Sequence, residues 1–208
     1  MTRRDDANAP DDTATDLAER RGVETTVYQP AEDSRLLAEV AVDRLDADRR
    51  VLEVGTGSGY VAERVGEAVG SEVIASDLNP HACEQARERG LPVVRCDLVA
   101  GFRDDVFDAV LFNPPYLPTP PEDVRDDWME RALSGGESGR AVVDPFLDAV
   151  GRVLAPGGVV YLLVSSLTGI DEVTARAERN GFSVTTTREE SFPFEKLVVL
   201  ELARNDSQ

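Results

Sequence analysis

The stretch Val51-Leu52-Glu53-Val54-Gly55-Thr56-Gly57-Ser58-Gly59 constrains this chain more than any other. Its first four residues have the character of a buried strand and run directly into alternating glycines. Val61, Ala62, Val65 and Val69 then recur at helical intervals. A strand, a glycine turn and a helix open a βαβ unit. The glycines let the backbone approach a ligand, and the helix N-terminus offers free N–H groups. Gly57 to Ala62 also fits the dinucleotide pattern G-x-G-x-x-A. Alone, that match is weak and leaves a NAD-binding oxidoreductase open.

The alternation continues. Val73 to Ser76 reads as a second strand closed by Asp77, and Asn79-Pro80 as the cap and first turn of a helix that Gly90 ends. Pro92 to Cys96 is a third strand followed by Asp97 and Leu98, and Asp108 to Phe112 a fourth. Upstream, Asp33 or Ser34 is expected to cap a helix carrying Leu36, Leu37, Val40, Ala41 and Leu45. Leu117 to Asp144 is expected to be a long irregular substrate-side loop holding Trp128. Asp144-Pro145 then starts a helix with Phe146, Leu147, Val150, Val153 and Leu154. Val159 to Val164 is a fifth strand, a helix runs from about Asp171 to Gly181, and Ser183–Thr187 with Leu197–Leu202 close the chain as a β pair. Strands alternating with helices predict an α/β, doubly wound sheet. Residues 1–21 are polar and aperiodic and read as a disordered acidic arm, with 22–208 as the folded domain.

With 40 acidic and 22 basic residues among 208, the net charge is −18, and Lys196 is the only lysine. Such a surface disfavours unaided binding to nucleic acid; it also fits adaptation to a salty cytoplasm, in which case charge says little about partners. No apolar run is long enough to span a bilayer and no leader is visible, so a soluble cytoplasmic protein is expected. Cys83 and Cys96 form no disulfide framework or metal pattern, and His81, the only histidine, falls in a helix's first turn. No metal site is expected.

The chemistry is carried by strand ends, where ligands bind in open α/β sheets. Glu53, Asp77 and Asp97 place a carboxylate in or after three successive strands. Asp77 suits the hydroxyls of a ribose, and the set fits a cationic ligand better than a pyrophosphate. The fourth strand ends in Asn113-Pro114-Pro115-Tyr116. Neither proline has an N–H, and Asn113 is held extended by the proline after it. This rigid corner offers an amide, backbone carbonyls and an aromatic ring, which suits gripping a flat NH2 group.

Together, Glu53-x-Gly55-x-Gly57-x-Gly59, Asp77 and Asn113-Pro114-Pro115-Tyr116 resemble the class I S-adenosylmethionine-dependent methyltransferases that act on planar NH2 groups. Tyr28-Gln29-Pro30-Ala31-Glu32-Asp33-Ser34 and Gly135-Gly136-x-x-Gly139-Arg140 narrow the resemblance to the short HemK-related branch of archaea and eukaryotes. It runs from about Val27 to the C-terminus. It implies a Rossmann-like seven-stranded sheet, order 3-2-1-4-5-7-6, mostly parallel with an antiparallel last strand. It implies S-adenosyl-L-methionine as cofactor, contacted by Ser34, Glu53, Gly55, Gly57, Asp77, Asp97, Leu98 and Asn113. It also implies that Asn113, Pro114, Pro115 and Tyr116 hold the glutamine of the Gly-Gly-Gln loop of a class I peptide chain release factor, with Asn113, Pro114 and Tyr116 serving the transfer. Members of this branch pair with a small zinc-binding activator protein. The N-terminal helical domain of the larger bacterial enzymes is expected to be absent, its place taken by the acidic arm. An adenine N6-methyltransferase on DNA or RNA is the competing enzyme, since the same corner serves both amines, and the branch has been linked to lysine methylation as well. A nucleotide-binding scaffold without activity is the non-enzyme alternative.

Overall fold

The computed structural model describes residues 26–123 and 125–205; the expected acidic arm lies outside them. In chain order the elements are α1 (Glu32–Arg44), β1 (Arg50–Val54), α2 (Tyr60–Val69), β2 (Glu72–Asp77), α3 (Pro80–Glu88), β3 (Val93–Arg95) and β4 (Phe107–Phe112). There follow α4 (Trp128–Leu133), α5 (Val143–Val150), β5 (Leu154–Ser165), α6 (Ile170–Arg179), β6 (Phe182–Ser191) and β7 (Lys196–Arg204). The strands form one seven-stranded sheet in the order β3-β2-β1-β4-β5-β7-β6. Pairing is parallel from β3 through to β5. β7 runs antiparallel to both β5 and β6.

Helices cover both faces of the central strands, so these strands are apolar on both sides. Successive residues of β1 point opposite ways. Val51 packs with Leu37, Val40, Val61 and Val65 from α1 and α2. Leu52 and Val54 pack with Phe146, Leu147 and Val150 of α5 and Val173 of α6. Complete burial of one such side chain contributes about 1.5–3 kcal/mol, which makes these faces the main source of stability. Among the described residues, no helix is long and apolar enough to cross a membrane.

One crevice follows from this topology. The chain winds outward from β1 through β2 to β3, then crosses back to β4 on the other side of β1. Ligands bind at such a switch point, beyond the strands' carboxyl ends. Val54 is paired with Phe112, so Gly55 and Asn113 leave the sheet side by side. Phe112 itself is wedged against Phe146, with ring centroids 4.4 Å apart, which anchors the strand end from which Asn113 projects.

Several boundaries differ from the sequence-based expectation. Ala31, not Asp33 or Ser34, caps α1, and the Arg35 N–H donates to the Ala31 carbonyl at 3.1 Å. The side chain of Asp33 accepts instead from Tyr28, Ser34 and Tyr116. The segment after Leu117 is not irregular throughout. It holds α4, capped by Asp127, whose side chain accepts from Glu130 N at 2.8 Å. Six residues are too few to develop a visible period. α5 starts one residue before Asp144, which donates its N–H to the Arg140 carbonyl, and it ends at Val150. Leu154, expected in that helix, begins β5 and pairs with Phe107. The register shift between Phe107 and Ala109 absorbs the Pro156-Gly157-Gly158 kink, so β5 starts earlier than Val159. β6 and β7 are longer than expected. The outer strand β6 is mostly polar and shows no apolar alternation, and its ladder to β7 carries it to Ser191.

Candidate active site

A cleft of about 470 Å³ opens at the switch point between β1 and β4. Ser34, Glu53, Gly55, Gly57, Asp77, Asp97, Leu98 and the corner from Asn113 to Tyr116 all line it. These positions come from five separate segments of the chain, and the fold brings every one of them to the same cavity.

The glycine turn is fixed by acids from below and from the side. Gly57 adopts φ +54°, a left-handed conformation that glycine takes without strain. Its N–H donates to Asp77 Oδ2 at 2.9 Å, while Asn79 N–H donates to Oδ1 at 2.8 Å. Burial pushes the Asp77 carboxyl above its ordinary range, opposed by these backbone donors. Glu53 is only 4% exposed. Its Oε2 accepts from the Thr56 hydroxyl and, at 3.0 Å, from the Ala62 N–H. Desolvation raises its pKa to about 8, with the neighbouring Asp77 charge adding to the effect and the two hydrogen bonds opposing it. Glu53 therefore braces the turn against α2 from beneath the cleft. Asp97 stays exposed beyond β3, followed by Leu98 at φ +46°.

On the opposite wall stands the proline corner. Pro114 is buried and Tyr116 only 4% exposed. The Asn113 Oδ1 atom is buried without a hydrogen-bond partner among the described residues. Its neighbours explain why: Pro114 and Pro115 have no N–H to offer. A Cβ on Gly139 would stand 2.8 Å from the Tyr116 carbonyl, so the Gly135-Gly136-x-x-Gly139 run can pack directly behind the corner. Leu117 is stitched to the end of α4: its N–H donates to Leu133 O at 3.0 Å, and Gly135 N–H donates to Leu117 O at 2.8 Å. This turns Trp128, Glu130 and Leu133 into a side wall of the cleft. The Arg131 guanidinium lies 5.2 Å from the centre of the Trp128 ring.

Reasoning from sequence missed part of this site. Tyr28, Asp33, Thr56 and Glu130 also line the cavity. Thr56 sits inside the glycine run and could have been found there, as a hydroxyl three residues after Glu53. Tyr28 and Asp33 were visible only as parts of a motif, and a cap reading concealed the role of Asp33. No sequence signal marked Glu130. His81 lies outside the cleft lining, exposed at the start of α3, where its N–H donates to the Asn79 cap.

A family model for a methyltransferase domain matches residues 51–134, which span the glycine turn, Asp77 and the proline corner. A Methanocaldococcus jannaschii protein assigned to protein N5-glutamine methylation is 37% identical over 186 residues, covering 86% of this chain and 92% of that protein. Human methyltransferase HEMK2 is 34% identical over 199 residues, covering 89% of this chain and 93% of its own. The chain belongs to the HemK2/Mtq2-like class I methyltransferases. Among solved structures, a chain of the E. cuniculi Mtq2–Trm112 complex, responsible for methylation of the eRF1 translation termination factor, superposes with a TM-score of 0.72 at 32% identity. That match covers 87% of this chain and 100% of that one.

The cofactor of this HemK2/Mtq2-like enzyme is S-adenosyl-L-methionine, and the residues present fit it. The cleft's charged lining on the glycine-turn side comes from Asp77 and Asp97, with Glu53 held largely uncharged by burial, and suits a ligand carrying a sulfonium and an ammonium group. A dinucleotide's pyrophosphate would meet repulsion at the same place.

Proposed function

We propose that this HemK2/Mtq2-like enzyme methylates the side-chain amide nitrogen of the glutamine in the Gly-Gly-Gln loop of a class I peptide chain release factor. The observation that carries the reading is the Asn113 side chain. A buried acceptor without a donor costs about 1–3 kcal/mol, and a ligand N–H removes that penalty. Asn113 Oδ1 is such an acceptor, held on a corner that cannot supply the donor itself.

The mechanism follows from the acceptor's chemistry. An amide nitrogen is a poor nucleophile because its lone pair is delocalised into the carbonyl. Asn113 Oδ1 and the Pro114 carbonyl accept its two N–H bonds, fix its orientation and add electron density to it. The buried Tyr116 ring borders the same space and excludes water. S-adenosylmethionine supplies the electrophilic methyl group. As the N–C bond formed, the sulfonium–methyl bond would break to leave a neutral thioether. The alkylated nitrogen is much more acidic, so no strong base has to act first and its proton passes to solvent as the product leaves. Positioning and electrostatics do the rest. In this reading Ser34, Gly55, Gly57, Asp77, Asp97 and Leu98 hold the cofactor, and Glu53 braces the turn beneath it.

Relatives support the protein acceptor over a base: the M. jannaschii and E. cuniculi proteins are both described as acting on proteins. A duplex base must be flipped out at a cost of a few kcal/mol, commonly offset by basic contacts to phosphate, and this chain carries a charge of −18. The E. cuniculi enzyme is in complex with Trm112. On that likeness we assign this chain a small activator partner, the zinc-binding protein that the family resemblance implies; action on a release factor would place the enzyme in the cytoplasm. The test is transfer of a labelled methyl group to release factor and to nucleic acid side by side, with and without the activator. Label on the release factor alone is expected. Label on adenine alone would replace this reading with the adenine N6-methyltransferase.

A further inference from the structure

The structure assigns Asp33 a positioning role: one of its carboxylate oxygens ties the cofactor side of the cleft to the acceptor side. Asp33 lies in the first turn of α1 and is 2% exposed. Its Oδ1 accepts from the N–H of Ser34 at 2.6 Å and from the Ser34 hydroxyl at 3.2 Å. Its Oδ2 accepts from two phenols, Tyr28 at 2.8 Å and Tyr116 at 3.2 Å.

The two tyrosines belong to different walls. Tyr28 sits in a strap, residues 26–30, that crosses the glycine turn. A Cβ on Gly57 would be 3.4 Å from the Tyr28 carbonyl, and the Asn79 side-chain amide donates to the Thr26 carbonyl at 2.8 Å. The strap therefore covers the turn and the end of β2. Tyr116 closes the corner that presents Asn113, 83 residues after Asp33. A hydrogen bond to a charged acceptor is roughly twice as strong as a neutral one, and Asp33 gives both phenols the same one. Displacing its carboxylate displaces both walls. The cap of α1 is Ala31, so a capping role does not account for the residue. A favourable charge in the first turn of the helix does remain as a purely structural alternative, and the test has to separate the two.

The inference rests on reading the Asn113–Tyr116 corner as the acceptor site. The experiment compares Asp33→Asn, Tyr28→Phe and Tyr116→Phe in the full chain with its activator. It reads S-adenosylmethionine affinity by calorimetry, hydrogen exchange of the Val27, Tyr28 and Gln29 amides, and kcat separately from KM on release factor. Asp33→Asn should raise the cofactor Kd and drop kcat, each by roughly tenfold for loss of a charge-assisted bond, and should speed exchange in the strap. Tyr28→Phe should move chiefly the Kd and the strap, and Tyr116→Phe chiefly kcat. A helix-charge role predicts a lower melting temperature with Kd, strap exchange and kcat unchanged, and that result overturns the inference. So does an effect of Asp33→Asn on one wall only. Should Asp33→Asn not fold, the Tyr28→Phe, Tyr116→Phe cycle decides: effects that multiply independently contradict a shared acceptor, and coupled effects support it. A wild-type enzyme inactive on release factor would refute the acceptor reading instead. Cofactor affinity and strap exchange would then still judge Asp33, with both unchanged counting against it.

Discussion

The N–H of Gly57 donates to Asp77 Oδ2 at 2.9 Å, so the acid that closes β2 also holds the turn that closes β1. In the proposed reading Asp77 has a second duty, offering its remaining lone pairs to the cofactor. Asp77→Ala should weaken S-adenosylmethionine binding by about 1.5–3 kcal/mol, the range for hydrogen bonds to a charged group. Asp77→Asn, which keeps one acceptor, should lose less. Calorimetric titration of both variants checks this. Unchanged affinity in Asp77→Ala would show that the carboxylate serves the turn alone.

Glu53 gives the fold a pH dependence of predictable sign. Its ordinary value of 4.5 applies in the unfolded chain, and burial raises it to about 8 in the fold. An acid whose folded pKa is raised contributes stability that is fully present below the unfolded value. That contribution is lost as pH rises toward the folded value, at up to about 1.4 kcal/mol per pH unit. Glu53→Gln keeps an acceptor for Thr56 and Ala62 but cannot ionise. Urea denaturation at about pH 5 and about pH 7.5 should show wild type losing stability relative to Glu53→Gln as pH rises. A wild-type-to-variant difference that stays constant would mean that Glu53 titrates normally.

For Asn113→Ala, activity and stability should part company. Methyl transfer should fall by roughly two orders of magnitude or more, as for loss of one preorganised polar group. Stability should hold or rise, because the substitution removes a buried acceptor that has no partner among the described residues. Cofactor affinity should largely survive. Kinetics and thermal melts on the same preparation read both quantities. An Asn113→Ala enzyme that is active, or one that is inactive only because it is unfolded, would contradict the assigned role.

Much of this could be read from residue order. Ala109 to Phe112 is apolar on both faces because both faces are covered, and an uninterrupted apolar run records that directly; in Val51 to Val54 only the buried Glu53 breaks the run. Gly57 and Asp77 declared themselves by their places at strand ends. Two kinds of feature stayed hidden. β6 is held by its ladder to β7 and not by a buried face, so its polar residues carry no period. Asp33 meets Tyr116 across 83 residues, and the side-chain chemistry of Asp33 fits a helix cap equally well. Only the tertiary arrangement decides between the two.

The central claim is that the Asn113 corner methylates the Gly-Gly-Gln glutamine of release factor. Mass spectrometry of release factor from cells lacking this protein, complemented with wild type or with Asn113→Ala, tests it most directly. An unmethylated glutamine is expected without the protein, a methylated one with wild type, and an unmethylated one with Asn113→Ala. A glutamine still methylated in the cells lacking the protein, with adenine methylation lost from their nucleic acid, would contradict it.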